Sequence, residues 1–247
     1  MRRPRLGHVL STLPVSFGVS SRAVALINAQ RDRGTLIVAV ANGKGGSGKS
    51  TLATNVAIGY GLKKMKVLLI DADIEQRTVS KWPRPPGLFG PIIVKWSTAG
   101  ILERLAAVIE RYDVVLIDFA GRDDRAAAPV FNVVDVLVSP AKPSLQDLDE
   151  LHRFIDVAKA TGTPHVVVFN EATREATSEL AAFVKQFAHF KPFLPTAIQQ
   201  LSAYRRVYAR GRSVLEFPQT HPAKQNFERV FSQLDRYFAH IKKSKRS

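Results

Sequence analysis

Cysteine is missing from the 247 residues altogether, which rules out a disulfide framework, thiolate-held iron–sulfur clusters and a cysteine nucleophile. A long apolar run is missing too: no stretch approaches the ~20 residues of a membrane-crossing helix. Acid is scarce, with 21 Asp and Glu against 36 Lys and Arg, so the formal net charge is +15. Such a balance favours a polyanionic partner and salt-sensitive binding to phosphates. No segment recurs with a period of ~20–50 residues, which excludes a repeat architecture. Glycine is unremarkable in number at 15, yet four of them crowd into positions 43–48.

That crowding is the most informative feature. Gly43-Lys44-Gly45-Gly46-Ser47-Gly48-Lys49-Ser50 satisfies G-x-x-x-x-G-K-[ST], the loop that cradles a nucleotide's phosphates. An apolar run of strand length, Leu36–Ala41, precedes it, and Leu52, Val56 and Ile58 open a helical segment that ends near Gly61. The motif needs this strand–loop–helix context. Glycines admit the phosphates to the backbone, and the amides of the helix N-terminus point at them. Lys49 would reach the terminal phosphates, and Ser50 would ligate Mg²⁺.

Further apolar runs end in polar residues. Lys66–Ile70 leads into Asp71-Ala72-Asp73, and Val114–Ile117 leads into Asp118, which reads as the carboxylate of a nucleotide-bound magnesium site. Val136–Pro140 and His165–Asn170 follow as strands. Asp123 and Asp124 are expected to start one helix, and Pro143–Asp147 to open another. Continuous apolar strands alternating with helices predict an α/β fold: a single doubly wound, mostly parallel sheet with helices on both faces.

The loop matches K-G-G-x-G-K-[ST], and with the landmarks after it the chain resembles the ParA/MinD family of deviant Walker A ATPases over roughly residues 36–240. The closest resemblance is to short plasmid-partition members. It covers Pro195-Thr196-x-Ile198, Tyr204-Arg205-Arg206 and Gly211-x-Ser213-Val214, and it implies a last strand at Leu194–Ile198. The resemblance implies an ATPase with ATP and Mg²⁺ as cofactors, bound by Gly45, Gly46, Ser47, Gly48, Lys49, Ser50 and Thr51, with Asn170 reading adenine. It implies metal contacts from Ser50, Asp71 and Asp118, and catalytic roles for Asp73 on the attacking water and for Lys44 across an ATP-dependent homodimer. It further implies nonspecific DNA binding through Arg205, Arg206, Arg210 and Arg212, a ParB-like activator bound to the cargo, and a cytoplasmic, nucleoid-associated location. Two departures stand out. Ile74-Glu75 occupies the place of a single proline after Asp73, and Phe119 replaces a small residue after Asp118. Without cysteine, the related iron–sulfur reductases and glutamine amidotransferases are excluded.

Three segments are expected: a basic, disordered extension at 1–34, the ATPase domain at 35–241, and a basic tail at 242–247. Only some forty residues precede the P-loop, so the DNA-reading helix-turn-helix module of longer members is expected to be missing. Phe227, Val230, Phe231, Leu234, Tyr237, Phe238 and Ile241 form one helical stripe ahead of the basic tail. It reads as a core-facing terminal helix. The competing reading is an amphipathic anchor on an anionic membrane, as in MinD-like proteins. A ligase of the dethiobiotin-synthetase type is a third reading, without a substrate signature in this chain.

Overall fold

The structure, a computed structural model, describes residues 21–120, 124–186, 188 and 191–244. Strand β1 (Leu36–Val40) lies in the middle of a six-stranded sheet ordered β3-β2-β4-β1-β5-β6. The other strands are β2 (Val67–Asp71), β3 (Ile92–Lys95), β4 (Val114–Asp118), β5 (Val136–Ala141) and β6 (His165–Phe169). Every pairing is parallel, and the register places Val40 and Asp71 level with Asp118.

Side chains alternate across a strand, so each face of the sheet gathers its own core. Leu36, Val38 and Val40 join the first core beneath α2 (Lys49–Leu62), α7 (Ser202–Ala209) and α8 (Pro222–Ser244). Ile37 and Ala39 join the second, beneath α1 (Ser21–Arg33), α3 (Ile101–Ala106) and α4 (Asp124–Phe131). A smaller cluster packs α5 (Leu145–Ala160) and α6 (Arg174–Gln186) near β6. All strands are covered on both faces except the edge strand β3, which explains their unbroken apolar runs.

Three expectations need correction. The disordered extension does not reach residue 34, because Ser21–Arg33 is helix α1. Ile27 is fully buried, and Arg31 Nε donates to the buried Asp135 at 3.2 Å, while Asp135 Oδ2 accepts from the Ile37 amide. Residues 1–20 lie outside the described residues. At the other end α8 runs to Ser244, so the helix takes up half of the expected tail; residues 245–247 lie outside the described residues. Leu194–Ile198 is not a strand. It runs beside β6 through an isolated bridge at Phe193 and single backbone hydrogen bonds from the Leu194 and Ile198 amides to Val167 and Phe169, whereas β3, unforeseen, forms the edge beside β2.

The apolar stripe of α8 faces inward as expected: Phe227, Val230, Phe231, Leu234, Phe238 and Ile241 are buried. That face is closed against the sheet and α2, with Phe231 edge-on to Tyr60 at 5.1 Å, and is not presented to a lipid surface. Among the described residues no helix is long and apolar enough to cross a membrane.

Candidate nucleotide site at the carboxyl ends of the central strands

The chain leaves β1 and turns sharply before α2. Asn42, fully buried, donates to the Pro140 carbonyl at 2.6 Å and accepts from the Lys44 amide at 3.0 Å, which fixes the entrance of the loop. Gly46 and Gly48 take φ of +74° and +96°, a region that L side chains avoid. Gly48 is constrained twice, since a Cβ there would lie 2.0 Å from Asn170 Nδ2. The helix thus begins at Lys49 without a side-chain cap, leaving its first amides to a ligand.

Two lysines meet over this loop. Lys49 is buried, and its Nζ donates back to the Lys44 carbonyl at 3.0 Å. Burial lowers its pKa, an effect that Asp118 and Asp73 oppose by their charge. Lys44 points elsewhere. Its Nζ donates to Asp147 Oδ2 at 2.8 Å, on the first turn of α5. Asp147 is nearly inaccessible, Ser144 Oγ donates to the same oxygen at 2.7 Å, and Oδ1 has no partner.

The carboxylates sit level at the ends of adjacent strands. Ser50 Oγ donates to Asp118 Oδ2 at 2.6 Å, while Asp118 Oδ1 is buried with no hydrogen-bond partner. Burial pushes the Asp118 carboxyl up to about 7, against the pull of Ser50 and Lys49. A buried, orphaned carboxylate oxygen beside a hydroxyl and a lysine fits a divalent cation with a phosphate. Asp71 differs. Its Oδ1 accepts from the Asp73 amide at 3.2 Å, and its Oδ2 accepts from Ser80 N at 2.7 Å and Ser80 Oγ at 2.5 Å. Asp71 therefore anchors the loop after β2, and contact with a metal would be made from that engaged state.

Asp73 closes the same loop, its Oδ1 accepting from Glu75 N and Gln76 N at 3.2 and 2.9 Å. This turn absorbs the Ile74-Glu75 departure, leaving Ile74 exposed and Arg77 with φ of +53°. Phe119 turns away from the site. It is buried and meets Phe131 edge-on at 5.8 Å, so it belongs to the second core. Residues 121–123, with Asp123, lie outside the described residues; Asp124 does begin α4.

A cavity of about 300 Å³ adjoins the loop, lined by Thr51, Asn170, Gln199, Gln200, Tyr204, Arg205 and Tyr208 among others. Asn170 Nδ2 donates to the Ser47 carbonyl at 2.8 Å, so the side chain ties the loop to β6 while it lines the cavity. Of the four arginines expected on DNA, all are exposed, but Arg205 also lines this cavity.

The sequence did not reveal the partners of these groups. Asp147 stood in a P-S-x-x-D turn but gave no sign of meeting Lys44, more than a hundred residues away. Ser80 carried no signal. Tyr208 and Trp82 stack at 6.1 Å, Tyr208 Oη donates to the Thr78 carbonyl at 2.8 Å, and Arg84 pairs with Glu216 at 2.7 Å. Together these contacts bind the loop after β2 to α7 and to the turn at Val214–Glu216 that follows it.

A parallel sheet carrying a glycine loop, a helix N-terminus and level carboxylates on its central strands defines a P-loop nucleotide-binding protein. The description "CobQ/CobB/MinD/ParA nucleotide binding domain" matches residues 38–214, and the chain belongs to this ParA/MinD P-loop ATPase family. It is 31% identical over 209 residues to the "Maintenance of carboxysome distribution protein A" of Gloeobacter kilaueensis, covering 81% of this chain and 94% of that protein. The fold is similar to the Mg-ADP complex of the septum site-determining protein MinD from Pyrococcus horikoshii, with a TM-score of 0.69, 18% identity, and 84% and 98% of the two chains covered. It is also similar to an ATP complex of McdA from Cyanothece, with a TM-score of 0.63, 17% identity, and 82% and 97% covered.

Proposed function

We propose that this protein is a partition-type positioning ATPase. It binds ATP with Mg²⁺ at Gly45–Thr51, closes into a homodimer across the nucleotides, and in that state binds DNA nonspecifically. A cargo-bound partner then stimulates hydrolysis and releases it. In the cell this places it in the cytoplasm, on the nucleoid. The observation that carries the reading is the second P-loop lysine, Lys44. It is a third exposed, beside Lys49 yet not directed at the loop it belongs to. Released from Asp147, it is free to reach a nucleotide held by a second copy and to counter charge on the transferring phosphoryl group. Ser50 and Asp118 would hold the metal ion, with Asp71 supporting them from behind and Asp73 facing the attacking water. The ion would neutralise phosphate charge.

The net charge of +15 and the exposed Arg206, Arg210 and Arg212 support a DNA partner. A relative named for carboxysome distribution supports cargo positioning as the class of task. The membrane reading loses its anchor, since the apolar face of α8 is buried. The test is binding of a random-sequence duplex without nucleotide, with ADP, and with ATP and Mg²⁺, at two salt concentrations. Tight, salt-sensitive binding with ATP alone is expected; binding indifferent to nucleotide would overturn the gated cycle.

A further inference from the structure

At the opposite end of the sheet from the P-loop, where β2, β3 and β4 begin, lies a second cavity of about 270 Å³. Lys64, Lys66 and Arg111 line it together with Met65, Phe89, Ile92 and Tyr112. Among the described residues no ion pair holds these three cations; the lining contains no acid, and the neighbouring Asp113 carboxylate is engaged by the Lys66 amide at 2.7 Å. The apolar side chains beside them are unusually open. Phe89, Ile92 and the nearby Leu62 are 57%, 56% and 58% exposed, whereas the other large apolar side chains among the described residues are mostly covered.

The cavity is continuous with β3, which pairs with β2 alone and stands at the sheet edge with its ends exposed. An open edge offers unpaired backbone donors and acceptors in line, and charged neighbours decide what is allowed to pair with them. Lys95 closes the far end of the strand, so cations stand at both ends of an apolar edge.

We propose that the β3 edge and the adjoining cavity form a docking surface for an extended, acidic segment of a partner protein. That segment adds a strand beside Ile92–Lys95 and sets apolar side chains against Ile92 and Phe89, while its carboxylates meet Lys64, Lys66 and Arg111. Charge selects this occupant over the chain's own ends and over a second copy. Residues 1–20 carry Arg2, Arg3 and Arg5 without an acidic residue, and a second copy would bring the same cations to its own edge. Open apolar side chains in the middle of the patch favour a polypeptide over a nucleic acid, whose surface is charged throughout. The site lies away from the nucleotide, so its occupancy and the ATPase cycle are separately measurable.

The probe is a short synthetic peptide alternating glutamate with isoleucine, titrated into the isotope-labelled full chain and followed by backbone amide shifts, with a lysine-for-glutamate peptide as control. Saturable, salt-sensitive binding is expected, with shifts centred on Lys64–Val67 and Ile92–Lys95 and no response to the control. The triple variant Lys64→Glu, Lys66→Glu, Arg111→Glu and the strand-compatible Ile92→Thr should each weaken binding about tenfold or more while nucleotide affinity stays unchanged. Absence of binding, or shifts centred elsewhere, would overturn the proposal. So would charge variants that weaken peptide and duplex DNA alike while Ile92→Thr changes neither, because the surface is then a general polyanion site. Concentration-dependent self-association lost in Ile92→Thr would assign the edge to a second copy and overturn it as well.

Discussion

Lys44 and Lys49 stand five residues apart and do different things. Lys49 is buried, turned back on the loop and sensed by both Asp118 and Asp73, so a phosphate would find it already in place. Replacing it with Ala should abolish ATP binding, measured by calorimetry; unchanged affinity would refute the P-loop assignment. Lys44 leaves a different consequence, because Asp147 is buried and depends on its ammonium. A truncation to Ala would leave that carboxylate with Ser144 as its remaining side-chain donor, mixing a local structural effect with the catalytic one. Lys44→Gln, which keeps a donor, is the cleaner variant: ATP affinity should persist while hydrolysis falls by about a hundredfold or more, the scale of a lost charge at a phosphoryl transition state. Wild-type turnover in that variant would remove the trans role. Asp118 adds a pH dependence. Its folded pKa, about 7, lies above the ordinary carboxylate value, so the folded state holds a proton that the unfolded chain has released. Its ionisation therefore opposes folding as pH rises from about 4 through 7, and a bound cation offsets this by favouring the ionised form. Thermal melts at about pH 5.5 and about pH 8 should show the wild type losing stability against Asp118→Asn at the higher pH, and Mg²⁺-dependent ATP affinity should fall below about pH 7.

At the scale of elements, the loop after β2 and helix α7 behave as one assembly. The loop is anchored at one end by Asp71 on Ser80 and at the other by Arg84, which donates to Gly211 and pairs with Glu216. Between them Trp82 stacks on Tyr208 and lies within 5.3 Å of the Arg84 guanidinium. Burial raises the Tyr208 phenol well above its ordinary pKa, so it remains a donor to Thr78 at any working pH. The joint is tight at Gly211, with φ of +65° and the Pro83 carbonyl 1.9 Å from where a Cβ would stand. Gly211→Ala combines a left-handed penalty of about 1–2 kcal/mol with a backbone collision, so the loop and α7 must separate. A melting temperature lowered by several degrees is expected, with ATP turnover falling more than ATP affinity; a variant as stable and active as the parent would show that the two elements are not coupled. The switch departure Ile74-Glu75 was visible in the sequence, but its accommodation by an Asp73 turn required the folded loop.

For the whole molecule, α8 decides whether the domain closes. Its seven-residue stripe covers α2 and the sheet, and large-to-small changes at buried phenylalanines cost about 3–5 kcal/mol each. Removing residues 222–247 should therefore abolish the cooperative thermal transition and leave no membrane-binding fragment to assay. A truncated chain that still melts cooperatively and stays off anionic liposomes to which the full chain binds would restore the membrane reading. The charge of +15 acts at this scale as well: under the proposed DNA partner it would set a steep salt dependence on affinity without choosing a sequence.

The sequence by itself determined what local chemistry can express. A glycine loop between an apolar strand and a helix, apolar runs ending in Asp71 and Asp118, and a helical stripe from Phe227 to Ile241 each carry their meaning within a few residues. From them came the parallel sheet, the nucleotide, and the inward face of α8. Tertiary structure decided what depends on groups distant along the chain. It set Lys44 on Asp147, Ser80 on Asp71, Asn170 on the P-loop carbonyl, and Arg205 on the cavity wall. It also made a helix of Ser21–Arg33, whose apolar signal is weak, because Ile27 and the Arg31–Asp135 pair find partners on the sheet. It left β3 at an edge, where a four-residue strand, Ile92–Lys95, carries an apolar run too short to be told from a loop. Periodicity reports which face of an element is buried; only packing reports against what.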